Sequence, residues 1–229
     1  MPTPGYNISW DDATKRLYET GIDRCVLYPM KDTIDDATKP YDDGVAWNGI
    51  TAVNESPSGG EPTPLWADNI KYLNLMSAEE FGATIEAYMY PDEWLPCDGT
   101  QSLVAGAYIG QQPRKQFGLC YRTILGNDAK FNDYGYKLHL VYGCIATPTE
   151  KSYATVNDSP EASTFSWTVS TTPVPVVGFK PTSHLVVDST VVTAAKLAAL
   201  ETILYGTSGE PGTPARLPLP AEVLSTLNP

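Results

Sequence analysis

Residues 117–146 read FGLCYRTILGNDAKFNDYGYKLHLVYGCIA, and this stretch decides the fold of the chain. Residues 118–125 and 136–145 have the length and the β-branched and aromatic content of strands. The residues between them are rich in Gly, Asn and Asp, which form turns through positive φ angles and local side-chain hydrogen bonds. We therefore predict a β-hairpin of two long strands.

The second strand of this hairpin has two different faces. One row of alternate residues is apolar or aromatic: Tyr136, Leu138, Leu140 and Tyr142. A period of two places this row against the core of the protein. The other row contains Lys137 and His139. With Arg122 of the first strand, these are our candidates for a site or for a surface that contacts another molecule.

The rest of the chain predicts more strands and a flanking helix. Further strands are expected at residues 24–28, 45–54, 65–75, 84–90, 103–109, 164–170 and 183–188, with 45–54 and 65–75 pairing around the Pro- and Gly-rich segment 55–64. A helix is expected at residues 193–205, with Thr193 as its N-cap and Gly206 as its stop. The expected fold is mainly β, a sandwich or barrel of antiparallel strands with one flanking helix.

The chain divides into three parts by composition. Residues 1–20 are predicted to be an N-terminal arm, residues 21–206 a single β domain, and residues 207–229 a Pro- and Gly-rich extension that ends in a helical turn or two. The first residues lack the basic and apolar regions of a signal peptide, and no run has the length of a membrane span. We expect a soluble protein that does not contact membranes.

The charge is strongly acidic and unevenly distributed. The formal net charge is -12, with 18 Asp and Glu against 6 Lys and Arg in residues 1–100 and 9 of each afterwards. A negative surface repels phosphate, so adhesive binding of nucleic acid is disfavoured, although DNA can pass an acidic wall without sticking.

Neither the cysteines nor the histidines form a known catalytic or metal-binding motif. Cysteines at 25, 97, 120 and 144 include no C-x-x-C pair, so we interpret them as buried structural thiols and expect no metal or cofactor. The chain has two histidines, His139 and His184, and both lie within predicted strands. Phosphate-binding loops and nucleophile elbows are absent. The paired loop carboxylates that a glycosidase would need are better explained as solvated charge, so we do not expect an enzyme.

Aromatic content leaves a second function open. The chain has 14 Tyr and 5 Trp, which suit a carbohydrate-binding platform as well as subunit contacts. Trp66 and Trp94 are the candidates for such a platform, in a carbohydrate-binding β-sandwich that would serve as an adsorption module.

Several motifs resemble one family. GQQPRKQFGLCYRT at 110–123, GND at 126–128 and DYGYKLHLVYGC at 133–144 resemble the major tail (tail tube) protein of long, non-contractile-tailed bacteriophages. Other stretches are similar to that family in the same order: WNGITAVNESPSG from Trp47, ADNIKY from Ala67, EFGATIEAYMYPDE from Glu80 and NDSPEA from Asn157. The resemblance covers roughly residues 20–190.

This resemblance implies a structural virion protein. Its subunits would form hexameric rings that stack into a hollow tube, through which linear double-stranded DNA would pass. Partners would be other copies of the chain and the tape-measure, tail-tip and terminator proteins. The location would be the virion tail, after assembly in the host bacterial cytoplasm.

Two sets of residues follow as expected contacts. Arg122, Lys137 and His139 would face the tube wall, the lumen or a neighbouring subunit. The loops 29–44 and 55–64 would contact the next ring. Their acidic residues are Asp35, Asp36, Asp42, Asp43, Glu55 and Glu61.

Overall fold

The computed structural model of the chain describes residues 10, 12, 15–155, 158 and 162–228. The fold is mainly β, with antiparallel strands and two α-helices, which confirms the predicted fold class. Most of the predicted N-terminal arm, residues 1–20, lies outside the described residues. The first strand begins at Leu17, within that predicted arm.

The strands and helices are described here in chain order. The strands are β1 (Leu17–Pro29), β2 (Val45–Ala46), β3 (Ile50–Glu55), β4 (Ser58–Gly59), β5 (Pro62–Ala67), β6 (Ile70–Met76), β7 (Glu79–Glu80), β8 (Gly82–Ala87), β9 (Gln101–Val104), β10 (Ala107–Ile109), β11 (Phe117–Asn127), β12 (Phe131–Ala146), β13 (Phe165–Thr171) and β14 (His184–Asp188). The helices are α1 (Ala194–Tyr205) and α2 (Pro220–Leu227).

The main sheet curls into a barrel. Its strands lie in the order β2-β1-β11-β12-β13-β8-β3, and β14 pairs with β12 beside this path. The outermost strands β2 and β3 are consecutive in the chain, and the amide of Trp47 between them donates to the carbonyl of Cys25 in β1 (2.9 Å). The two ends of the sheet therefore meet, which leaves few unpaired edges.

Indole rings fill the inside of the barrel. Trp47, Trp94 and Trp167 lie within 5.7 Å of one another by ring centroid, and all three are buried. Alternate residues of β1, β8, β11, β12 and β13 surround them. The barrel is a packed core and not a pore, because these large side chains occupy its interior.

A second core lies outside the barrel, where the helices cover β1, β11, β12 and β14. The predicted apolar row of β12 points to this core, which confirms its orientation. Leu197, Leu200 and Leu204 of α1 pack onto the same face, each contributing about 1.5–3 kcal/mol by burial. Thr193 is the N-cap of α1, as expected, but forms no side-chain capping bond.

The segment after α1 packs onto this second core. Leu217 and Val223 are buried in it, and the Tyr142 hydroxyl donates to the carbonyl of Pro218 (3.0 Å). Arg216 and Glu222 form a two-bond ion pair that connects the segment to α2. The part of the predicted extension 207–229 that follows residue 214 therefore packs onto the barrel.

Gly143 divides β12 between two neighbours. Residues 137–141 of β12 pair with β14, and residues 144–146 pair with β13. Gly143, between the two ladders, has a φ of 60°. A Cβ there would lie 2.2 Å from the carbonyl oxygen of Thr172, so only glycine fits this bend.

A long β-arm leaves the barrel between β3 and β8. The β3–β8 ladder continues into β4–β7 and then into β5–β6, which ends in the turn Asp68-Asn69. Both turn residues have positive φ, as in a two-residue type I′ hairpin turn. The predicted pairing of 45–54 with 65–75 is wrong, because β3 pairs with β8, and β6 with β5.

We expect Gly143→Ala to lower the free energy of unfolding by about 3 kcal/mol, since it combines a strained φ with a backbone clash. Urea unfolding followed by circular dichroism measures this loss. Gly110→Ala is the matched control: a Cβ at Gly110 has nothing within 4 Å, so the expected change is within about 0.5 kcal/mol. Equal effects of the two substitutions would contradict the role given to Gly143.

Candidate functional site

The structure separates the three basic residues that the sequence grouped together. Arg122 pairs with Leu138 across the β11–β12 ladder, whereas Tyr121 pairs with His139 and Thr123 with Lys137. Residues directly opposite in a ladder share a face, and neighbours along a strand alternate. Arg122 therefore lies on the helix-covered face, while Lys137 and His139 lie on the inner face.

Arg122 is committed to local contacts. Its guanidinium donates two hydrogen bonds to Asp23, with Nε 2.6 Å from Oδ1, and lies over the ring of Tyr136 at 4.8 Å. The hydrogen bond to Asp23 raises the pKa of Arg122 further above its usual range. These contacts connect β1, β11 and β12, so Arg122 has a structural role.

On the inner face, polar side chains from several strands meet at one end of the barrel. We call Glu55 of β3, His139 of β12 and His184 of β14 the histidine cluster. His139 Nδ1 lies 3.1 Å from His184 Nε2 and 3.4 Å from Glu55 Oε1. His184 Nε2 lies 3.8 Å from the same Glu55 oxygen. This arrangement exists because β3 ends at Glu55 and β14 begins at His184, and β14 pairs with residues 137–141 of β12, which include His139.

Hydrogen bonds hold the cluster from both sides. The Tyr121 hydroxyl donates to Glu55 (2.6 Å), and the Tyr121 ring stacks on His139 with 8° between the planes. On the other side, Thr123 Oγ1 lies 3.0 Å from His139 Nε2 and donates to Glu19. Every member of the cluster is thus oriented by a partner.

Burial favours the neutral form of the two imidazoles. Desolvation lowers the pKa of His139, although the charges of Glu55 and Glu19 oppose this shift. The pKa of His184 is also lowered by burial, again against the charge of Glu55. Burial and the hydrogen bond to Glu55 raise the pKa of Tyr121, so its phenol stays protonated. Two neutral imidazoles beside a carboxylate can bind a cation.

Lys137 differs from His139 in its environment. Its ammonium group donates to Glu19 at the partly exposed edge of the cluster. Burial acts to raise the pKa of Glu19, but the hydrogen bonds from Lys137 and Thr123 outweigh it and the pKa is lowered. Lys137 therefore closes the polar network toward solvent.

The six acidic residues of the predicted loops lie in different parts of the structure. Asp35, Asp36 and Asp43 lie in the segment between β1 and β2, and Asp36 accepts hydrogen bonds from Thr38. Asp42 forms an ion pair with Lys115 (3.4 Å). Glu61 is exposed just before β5 of the arm. Glu55 ends a barrel strand and belongs to the histidine cluster, whereas the sequence placed it in a loop.

Two expectations about buried residues have clear outcomes. All four cysteines are buried free thiols, as expected. Trp94 is completely buried in the barrel core, so it cannot be part of a glycan platform. Trp66, in the arm, is 68% exposed.

Sequence reasoning missed the histidine cluster, since Glu55, His139 and His184 are far apart in the chain. The one available signal was that both histidines of the chain occupy predicted strands. No helix within the described ranges has the length and apolarity to cross a membrane.

Neither protein-family models nor curated proteins gave a match to this chain. The function must therefore be argued from the residues and their geometry.

We expect His139→Ala to lower the free energy of unfolding by about 2–3 kcal/mol, because it leaves a void beneath the Tyr121 ring and removes the partner of Thr123. Lys137→Ala is the matched control on the same strand face, and its partly exposed ion pair is worth at most about 1 kcal/mol. Urea unfolding of both variants measures the difference. Equal losses would show that His139 contributes no more than a surface charge.

Proposed function

We propose that this chain is a self-assembling structural subunit, of the kind that forms the tail tube of long, non-contractile-tailed bacteriophages. The observation that carries the proposal is the solvent exposure of the arm. Its distal hairpin, β5 and β6, exposes every residue to solvent on both faces.

The exposed side chains of this hairpin are unusually apolar. One face carries Leu65, Leu73 and Leu75, because Leu65 pairs with Leu73 and Leu75 lies two residues further along β6. Trp66 and Met76 are also exposed, at 68% and 67%. A two-stranded hairpin is barely stable alone in water, and exposed apolar patches usually mark contact surfaces. The arm is therefore suited to packing on another copy of the chain.

A second hairpin supports the same conclusion. Strands β9 and β10 pair with each other and also project from the barrel, with Leu103, Val104 and Tyr108 exposed. A subunit in a stacked ring needs separate contacts around the ring and along the stack. Two projecting hairpins on one barrel supply such contacts.

The filled barrel restricts where DNA would pass. Since three indoles occupy its interior, the conduit would be the central hole of a ring of subunits. The net charge of -12 would keep DNA from adhering to the wall of that hole. In this proposal the arm and β9–β10 bind neighbouring subunits, and the tape-measure, tail-tip and terminator proteins bind the ends of the tube.

We expect the double variant Leu73→Lys, Leu75→Lys to stay folded but to lose assembly, because two apolar side chains worth about 1.5–3 kcal/mol each would no longer be buried. The critical concentration for tube formation should rise at least about 100-fold. Electron microscopy of concentrated protein in sulfate or phosphate salt, which strengthens apolar burial, should show tubes with a central channel for the unmodified chain.

Val191→Lys is the control, since Val191 is 81% exposed and lies outside both hairpins. It should assemble like the unmodified chain. A chain that stays monomeric under all these conditions, or hairpin variants that assemble normally, would contradict the proposal. Glycan binding that is lost in Trp66→Ala would instead support the alternative function, a carbohydrate-binding adsorption module of a virion.

A further inference from the structure

We propose that Glu55, His139 and His184 form a binding site for a zinc ion at the root of the arm. The proposal is independent of tube assembly. It concerns the histidine cluster as a ligand set, with one side chain from each of three strands, β3, β12 and β14.

The three ligand atoms have the spacing that zinc requires. They form a triangle with sides of 3.1, 3.4 and 3.8 Å. The centre of such a triangle lies about 2.0 Å from each corner, which is the usual length of zinc bonds to imidazole nitrogen and carboxylate oxygen. A cation slightly above the plane of this triangle, at about 2.1 Å from all three atoms, would have its fourth tetrahedral position open for water.

The hydrogen bonds around His139 leave its Nδ1 unprotonated, and this is the nitrogen that would bind the metal. Thr123 donates its hydroxyl hydrogen to Glu19, so its oxygen accepts from Nε2 of His139. In a neutral imidazole the other nitrogen, Nδ1, then has the lone pair. Nδ1 is the atom that faces His184 and Glu55. Metal-bound histidines usually have such an outer partner, which here is Thr123 backed by Glu19.

The contact between the two imidazoles also indicates where the cation binds. Nδ1 of His139 and Nε2 of His184 are in hydrogen-bond contact, so one proton lies between two nitrogens that each can bind a metal. Zinc would take the place of this proton, and Nδ1 of His184 would take up a proton from water so that both rings stay neutral. A small rotation of His184, the more exposed of the two rings, would accompany this change. Glu55, already held by Tyr121, would complete the set.

The ligand types favour zinc over magnesium and calcium. Two imidazoles and one carboxylate suit zinc and its neighbours in the transition series. Magnesium and calcium prefer sites made only of oxygen ligands. The chain has no histidine outside this cluster, so any imidazole-dependent metal binding must occur here.

A bound ion would connect the arm to the barrel. Glu55 is the last residue of β3 before the arm, whereas His139 and His184 belong to strands of the helix-covered sheet. The ion would join these elements across the rim. Hydrogen exchange at the base of the arm, in β4 and β7, should therefore slow when zinc is added.

The experiment is titration of the untagged full chain with zinc chloride, followed by isothermal calorimetry and thermal unfolding. We expect one zinc per chain and a higher Tm, because the ion binds only the folded state. Magnesium and calcium should give neither effect. Cobalt should produce the visible spectrum of a tetrahedral nitrogen and oxygen site without thiolate bands, since the four buried thiols are not ligands.

Substitutions of the more exposed ligands test the zinc site without creating a cavity in the core. Glu55→Gln and His184→Gln should weaken zinc binding by at least about 100-fold, and Thr123→Val by about 10-fold, as expected for ligands and an outer partner. Glu61→Gln removes the same charge outside the cluster and should bind zinc like the unmodified chain. Circular dichroism establishes that each variant is folded.

Two results would overturn the proposal. One is the absence of zinc binding to the folded, unmodified chain at millimolar zinc. The other is equal zinc affinity in Glu55→Gln, His184→Gln and Glu61→Gln, which would place the ion elsewhere.

Discussion

The burial of β12 on both of its faces is the constraint on which the structure depends. Its inner residues, such as Val141 and Cys144, pack inside the barrel, and its outer residues, such as Leu140 and Tyr142, pack under the helices. A strand buried on both sides cannot shift its register without exposing one core and burying polar groups in the other. The bend at Gly143 then lets this one strand pair with β13 and β14 in turn.

Large aromatic side chains fill the barrel, so the assembly that we propose depends on the outer surface of the molecule. The barrel supplies a rigid body, and the arm and the β9–β10 hairpin supply apolar area that the subunit does not bury itself. Such area is costly to leave in water, and a second copy of the chain is a partner always present at the same concentration. This division into a rigid barrel and projecting hairpins is why we favour assembly over catalysis.

The histidine cluster lies where the barrel and the arm meet. Buried polar groups usually have a hydrogen-bond partner, and here Tyr121 donates to Glu55, Thr123 contacts His139 and Glu19, and Lys137 donates to Glu19. These contacts orient His139 and place its Nδ1 beside Glu55 and His184.

The sequence by itself determined several of the local elements, although the single strands predicted at 65–75 and 103–109 each contain a hairpin turn in the structure. The alternation of apolar and polar residues predicted β12 and β13, and the apolar stripe predicted α1. The four cysteines, which include no C-x-x-C pair, were correctly expected to be buried thiols. Only the tertiary structure decided which strands pair. The sequence wrongly paired 45–54 with 65–75, because alternation shows which face a residue occupies and not which strand lies beside it. The histidine cluster was invisible for the same reason: Glu55, His139 and His184 become neighbours only through long-range ladders, and no local pattern of side chains encodes them.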